Sequence, residues 1–366
     1  MKRIVLCLVL LTTCNGIEDI VDPIEENVLS GYIDGNNTFL TNDKIWILEG
    51  HVIIEPTTDL LVQKGAIIKA KEDAILIIPQ GAKIRAVGTE EQPIIFTSIK
   101  DSIQLGEFVS PNLTEDDTGL WGGIIMLGFA QISSESGETA YMEGLPVDST
   151  YSIYGGGSSK ESDGSGKFVR VSVRHGNSLK FGGVKFGTTI AYVEMYANKG
   201  DGFAFYGGTV DTDYLITYAH GDDGIDIDQA FSGTINNSAV IQGSNSDNAM
   251  EIDGPEGNYY NEYLNTNITL VGNGVGKMVD FREEANGYNV GIFAFNFPES
   301  VTLDETSHEN YLNKRLNFIN WQVDHQGPVA NYNIPEITKT ILGNQSAGVD
   351  PSHFNWTLIA REGKLW

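Results

Sequence analysis

Between Gly200 and Arg282, apolar and polar positions alternate in blocks that can be laid over one another. The blocks are GDGFAFYGG from Gly200, DDGIDIDQA from Asp222, DNAMEIDGP from Asp247 and MVDFR from Met278, with LKFGG from Leu179 as an earlier member. One column then reads Leu179, Phe203, Ile225, Met250, Val279, and the next but one reads Phe181, Phe205, Ile227, Ile252, Phe281. A period of two is that of a β-strand, so both columns face a core. The columns between and beside them, Lys180, Ala204, Asp226, Glu251, Asp280 and Gly182, Tyr206, Asp228, Asp253, Arg282, face the other way and grow into an acidic patch. Successive blocks are 24, 22, 25 and 29 residues apart. That spacing predicts an all-β chain: a single right-handed parallel β-helix, a three-sided solenoid with long loop insertions and a C-terminal cap.

Earlier in the chain, KIWILEGHVIIEP, LLVQKGAIIKA, AILIIPQGAKIRAVG and PIIFTS read as short strands. Leu60-x-Val62-xx-Gly65-xx-Ile68-x-Ala70 aligns with Leu76-x-Ile78-xx-Gly81-xx-Ile84-x-Ala86 at a shift of sixteen, which matches one small coil and places Gly65 and Gly81 at equivalent corners. Polar stretches near 100–119 and 133–167 interrupt the pattern as insertions, the second ending in the glycine- and serine-rich YGGGSSKESDGSG. The β-helix domain spans 28–366, with a cap near 298–366 that includes a helix within SHENYLNKRLNFINW and ends on a closing strand in FNWTLIAREGKLW. An uncapped last rung would expose apolar side chains and unpaired strand groups.

The first residues, MKRIVLCLVLLTTC, combine a basic start, a short apolar run and a cysteine, the form of a signal peptide over 1–13. Leu11-Thr12-Thr13-Cys14 resembles a bacterial lipobox with threonine in place of the usual small residue, which makes Cys14 the lipidation site and 14–27 an acidic tether. Cys14 is the only cysteine outside the signal, so no internal disulfide forms. The formal net charge of −26 disfavours nucleic acid and anionic membrane surfaces, and suits cations, metal ions or neutral sugars.

The order EEQPIIFTS, GLWGGIIMLG, FVRVSVRHG, TIAYVEMYANKGDGFAFYGGTV, GDDGIDIDQAFSG and SDNAMEIDG resembles a group of β-helix surface lipoproteins and secreted proteins of the Bacteroidota, in the pectate-lyase-like superfamily. The likeness covers most of residues 45–290, and a terminal FxWTxxxxxGxL pattern from Phe354 to Leu365 extends it. It implies the fold and an outer-membrane, cell-surface location, and no settled activity. The superfamily's fold hosts lyases, hydrolases, esterases, epimerases and adhesins, so function has to be argued from a site.

Asp226, Asp228, Glu251 and Asp253 form a two-by-two grid with about 4.8 Å between rungs. Two carboxylates about 5 Å apart repel by about 3 kcal/mol at an effective dielectric of 20. Three arrangements offset this: a calcium ion held by the four carboxylates, pairing with Lys180 and Arg282 at the ends of the columns, or a proton retained on one member. The resemblance to calcium-dependent polysaccharide lyases makes Arg282 or Lys180 a candidate base. The resemblance to hydrolases makes Asp226, after Asp222-Asp223, a candidate acid. The Gly-His-Gly and Arg-x-Lys motifs of polygalacturonase-type enzymes are absent. The preferred reading is therefore a non-catalytic glycan-binding lipoprotein, or an accessory subunit of an outer-membrane transporter or adhesin complex, with Tyr206, Asp228, Asp253 and Arg282 as ligand-binding residues. The alternative is a lyase or hydrolase acting on an acidic polysaccharide. His175 and His220 fall in different columns and read as turn residues. Trp121 reads as core, and Tyr154 and Tyr206 are candidate stacking rings.

Overall fold

The computed structural model describes residues 27–35, 38–157, 164–298, 301–325, 327 and 330–366. Cys14, the expected signal peptide over 1–13 and nearly all of the expected tether over 14–27 lie outside the described residues. Three parallel sheets wind into a right-handed β-helix. The first sheet starts with Thr38–Leu40, Asp59–Val62 and Lys83–Val87 and ends with Gly287–Val290 and Leu316–Ile319. The second contains Ile67–Ala70, Ile94–Ser98, Ala239–Ile241 and Trp321–Asp324. The third contains Ile75–Ile78, Gly123–Leu127, Ser178–Gly182, Phe203–Tyr206, Ile225–Asp228, Asn248–Asp253 and Lys277–Arg282.

The third sheet has the register expected from the aligned blocks. Leu179 pairs with Phe203, Phe203 with Ile225, Ile225 with Met250 and Met250 with Val279. Both inward columns are buried in one core that runs along the solenoid axis, where Phe181 and Phe205 stack at 5.0 Å and Phe231 lies 4.9 Å from Phe205. The sixteen-residue repeat, in contrast, is not a rung. Leu60 pairs with Ile84 and Val52 with Leu76, so a turn of the solenoid takes 24 residues, and a shift of sixteen moves the chain two sides along one rung. Gly65 and Gly81 both have positive φ, at +75° and +87°, but they occupy different corners. Each side carries the same apolar alternation and a similar corner, so a pattern match alone cannot tell a neighbouring side from the next rung.

Long strands serve two sheets. Gly166–Arg174, Thr189–Tyr196 and Thr212–Tyr218 bend at Arg170, Tyr192 and Tyr214, whose φ values of 51°, 54° and 56° turn the backbone from the first sheet to the second. The column continues through Asn237, Asn267, Gly291 and Asn320, all left-handed. Asparagine and glycine tolerate that conformation with little strain. At the upstream positions the rings of Tyr192 and Tyr214 stack at 4.5 Å and the Arg170 guanidinium lies 4.3 Å from the Tyr192 ring centre, contacts that stabilise the less favourable backbone.

Insertions cover outward faces rather than hanging free. On the third sheet the outward column upstream of Lys180 is apolar, with Ile53, Ile77 and Ile125. Chain from the 128–157 excursion lies over it, including an antiparallel hairpin of Thr139–Tyr141 and Ile153–Gly155, and buries these residues with Ile132, Met142, Leu145 and Tyr154. Gly182 makes this approach possible, because a Cβ there would lie 2.7 Å from Met142 and 2.8 Å from Tyr154. On the second sheet, Ile103 and Phe108 of the first excursion cover Ile67 and Ile95.

Helix α1, Glu305–Leu312, is capped by Asp304, whose carboxylate accepts from Ser307 N at 2.6 Å, and its Tyr311 packs on Phe318 near the C-terminal rungs. The expected closing strand at the C-terminus is instead helical. Residues Pro351–Phe354 form a 3₁₀ turn and Leu358–Arg361 form helix α2. Asp350 caps the first through Ser352 N at 2.9 Å and Thr357 caps the second through Ala360 N at 3.1 Å, so two consecutive start signals override the strand-like alternation. This segment lies along the second sheet, where Phe354, Leu358 and Ile359 are buried against Tyr196, Ile216 and Tyr218.

Candidate functional site

The acidic grid exists as a surface, and its immediate neighbours decide what it can do. Asp226 pairs across the ladder with Glu251, Glu251 with Asp280, and Asp253 with Arg282. The Arg282 guanidinium forms an ion pair with Glu251 and donates from Nε to Asp253 Oδ1 at 3.1 Å and from Nη2 to Asp253 Oδ2 at 3.3 Å. Lys180 is separated from Asp226 by Ala204 in the same column and is ion-paired with Glu143 of the insertion, which also accepts from the Tyr206 hydroxyl at 2.8 Å. Both candidate bases are thus already engaged by carboxylates.

Burial leaves the grid short of compensation. It pushes Asp253 up to about 8, with Asp228, Glu283 and Asp280 adding repulsion. It pushes Asp228 up to about 7, with Glu256 adding repulsion and Arg282 opposing it. Asp226 is held well above the usual carboxylate range by burial and then by Asp228 and Asp201. Of the three offsets drawn from the sequence, pairing to Arg282 and a retained proton both match this arrangement.

Calcium fits the grid poorly. Two of the four expected ligands, Glu251 and Asp253, are already bonded to Arg282, whose positive charge opposes a second cation beside them. Among the described residues, the carboxylates that converge to within 4.8 Å are Asp201, Asp222 and Asp223 at a corner of the third sheet. There, Asp201 accepts from Asp223 N at 3.3 Å and Asp223 from Asn248 N at 2.9 Å, each carboxylate capping the turn one rung further on. Adding millimolar calcium is expected to leave Tm within about 1 °C, since only a ligand bound by the folded state raises it. An increase of several degrees would reinstate a metal site.

Tyr206 is not open to a ligand. It is 9% exposed, lies beneath the insertion and is bonded to Glu143, so its place in the outward column does not put it in solvent. Tyr154 is 3% exposed and Trp121 1%, the latter donating to Arg174 O at 2.8 Å. His175 and His220 are buried and out of register with each other, since His175 stands level with Ala197 and that residue with Ala219. Burial lowers them to about 4 and about 3 respectively.

An open cleft of about 750 Å³ lies beside the grid, lined by residues from Gln131 to Glu135, by Gly137 and Glu138, by Gly156 and Gly157, and by Glu256 to Tyr259. Its walls are fixed to each other. Ser133 Oγ accepts from Gly257 N and Tyr259 N, both at 3.2 Å, and Ser133 O accepts from Glu256 N at 3.0 Å. Gln229, next to Asp228, accepts from the Tyr154 hydroxyl at 3.2 Å and donates to Glu256 at 3.0 Å, joining insertion, corner and loop. Among the described lining residues there is no lysine or arginine, while Glu135, Glu138 and Glu256 are exposed. Glu143, Gln229, Glu256 and Tyr259 carry no periodic signal in the sequence. Glu256 and Tyr259 reach the cleft because Ser133 contacts residues more than 120 positions away.

A family model for the pectate-lyase-like β-helix domain matches residues 31–357. The chain belongs to that family. The match spans the rungs, both insertions and the start of the C-terminal segment, so grid and cleft both lie within the pectate-lyase-like domain. Comparison with curated proteins and with solved structures returned no match.

Proposed function

We propose that this pectate-lyase-like β-helix binds glycan without cleaving it, as a cell-surface lipoprotein anchored through Cys14 to the outer membrane, where it serves beside a transporter or adhesin complex. The observation that carries the binding reading is the cleft: concave, polar, walled by ordered loops and furnished with Tyr259. Its exposed carboxylates and the engagement of Arg282 and Lys180 weigh against an acidic polysaccharide, which would meet repulsion and no unpaired cation at the grid. Neutral or amino-sugar glycans suit it better. Tyr259→Ala and Glu256→Gln are expected to weaken binding of such glycans by tenfold or more, measured by calorimetric titration of hits from a glycan array. Unchanged affinity in both variants would remove the cleft from consideration.

A second reading is glycoside hydrolysis, favoured by two neighbouring carboxyls pushed up to about 7 and about 8, which retain protons near neutral pH as a general acid must. Reducing-sugar release that disappears in Asp228→Asn would establish it over the binding reading.

A further inference from the structure

The excursions and the C-terminal segment bury parts of the outer faces of the second and third sheets, but no apolar cluster of the described residues includes an outward position of the first sheet. That face is open upstream, where Phe39 is 49% exposed, and downstream, where Leu264 and Tyr288 are 36% exposed. We propose that it binds a second copy of this chain, laid antiparallel across a two-fold axis that passes beside Thr189.

One outward column carries the inference. Phe39 pairs with Leu61, Leu61 with Arg85, Arg85 with Lys167 and Lys167 with Thr189. Asp211 comes next, because the residues that follow, Ile190 and Thr212, are paired, and its carboxylate accepts from Thr234 N at 2.9 Å. Thr234 then pairs with Leu264 and Leu264 with Tyr288. Counted outward from Thr189, Lys167 and Asp211 stand one rung away on either side, Leu61 and Leu264 three, and Phe39 and Tyr288 four. A two-fold axis along the strand direction at Thr189 sets each of these residues against its counterpart in the other copy. Apolar meets apolar at both ends, and Lys167 meets Asp211 twice.

Lys167 and Asp211 are exposed, and neither has an ion-pair partner among the described residues. Two rungs hold them about 9.6 Å apart, too far to pair within one chain. The net charge of −26 opposes association of copies in general, yet on this face Lys83, Arg85 and Lys167 stand against Asp59, Asp211 and Asp213. A partner of one charge sign meets repulsion on half of such a face. A reversed copy of the same face does not, which favours self-association over an anionic surface or a basic protein. Nine rungs at about 4.8 Å and a width of about 15 Å give about 1,300 Å² over two copies, at the lower end of the roughly 1,200–2,000 Å² of stable interfaces. The acidic grid is on the third sheet and stays outside the contact.

Sedimentation equilibrium of the full-length protein, in detergent matched in density to the solvent, tests this. A dimer dissociating in the micromolar range is expected. Lys167→Glu and Asp211→Lys should each weaken it at least tenfold, and the double variant, which exchanges the two charges, should restore it to within threefold of the parent. Leu264→Glu keeps the bond from Thr234 N to Asp211 and should also weaken the dimer at least tenfold. A Tm within a few degrees of the parent shows that each variant folds. A monomer at every concentration, or a dimer indifferent to these substitutions, overturns the proposal. Weakening by the single variants without recovery in the double overturns the reversed register at Thr189.

Discussion

Glu194→Ala is expected to destabilise the protein by about 3–5 kcal/mol, the usual effect of leaving one member of a buried charge pair without its partner. Glu194, Ser172 and Arg174 are each 0% exposed on the outer side of the second sheet. Arg174 Nε donates to Ser172 Oγ at 2.7 Å, and that hydroxyl donates to Glu194 Oε2. Glu194 Oε1 accepts from Ile359 N at 2.9 Å, and Arg174 Nη1 donates to Phe108 O, so the network is sealed by the C-terminal segment on one side and the first excursion on the other. Burial pushes Glu194 up and Arg174 down, while the attraction between them opposes both shifts.

The double variant Glu194→Leu/Arg174→Met should recover only part of the loss, because it removes the uncompensated charge but leaves Ser172 Oγ, Ile359 N and Phe108 O without their partners. Urea unfolding with an unchanged m-value measures it, and a loss below about 1 kcal/mol for Glu194→Ala would mean that the charges are not coupled. Truncation after Gly348 should be more severe. It removes Phe354, Trp356, Leu358 and Ile359, all at most 1% exposed, and burial of side chains of this size is worth about 1.5–3 kcal/mol each.

Stability should also rise as the pH falls from about 8.5, and Arg282→Ala should change that dependence. In the folded state Asp253 titrates near 8 and Asp228 and Asp223 near 7, against about 3.9 for an unfolded aspartate. The native state therefore holds more protons than the unfolded chain between those values, and stability rises as pH falls from about 8.5 towards 6.5. Each pH unit of differential protonation is worth about 1.4 kcal/mol per group, so with protons shared among neighbours a gain on the order of 2–3 kcal/mol is expected.

Below about 6.5 the rise becomes shallower without reversing. His175 and His220 are lowered to about 4 and about 3, so the unfolded chain takes up those two protons first, which offsets two of the three aspartate protons that the folded state holds in excess. Arg282→Ala leaves Glu251 and Asp253 without their cation, which is felt most when both are charged. The variant should lose about 1–2 kcal/mol at pH 8, since the guanidinium is 41% exposed and solvent screens its pairs, and less than half of that at pH 5.5. Thermal unfolding across pH 5–9 checks both curves. An equal loss at all pH values would show that Arg282 acts by packing rather than by charge.

The same residues show how far the sequence reaches. Alternation at two residues and spacing at 22–29 were enough to place Leu179, Phe203, Ile225, Met250 and Val279 in one inward column, because every rung buries the same pair of positions against the same core. The acidic grid followed from the same register, since outward positions are set once inward ones are. The sixteen-residue match between Leu60 and Leu76 misled, because periodicity records how a residue faces and not which side of a three-sided coil it occupies.

Tertiary structure alone decided which outward positions meet solvent. Tyr206 and Asp228 stand in one column, yet the first is closed over by Glu143 and the second lies beside an open cleft, because the second excursion covers only the upstream rungs. Lys180 and Arg282 read equally as bases, but each is engaged by a carboxylate, Lys180 by one from a distant loop. The C-terminal segment alternated like a strand and formed helical turns, because Asp350 and Thr357 cap local starts and Glu194 receives Ile359 N. Local pattern determined the solenoid, its rung length and the direction of each side chain. Contacts between segments far apart in the chain, for which a periodic sequence holds no signal, determined the cover over the faces and the shape of the cleft, and the loop that carries Glu143 determined the pairing of Lys180.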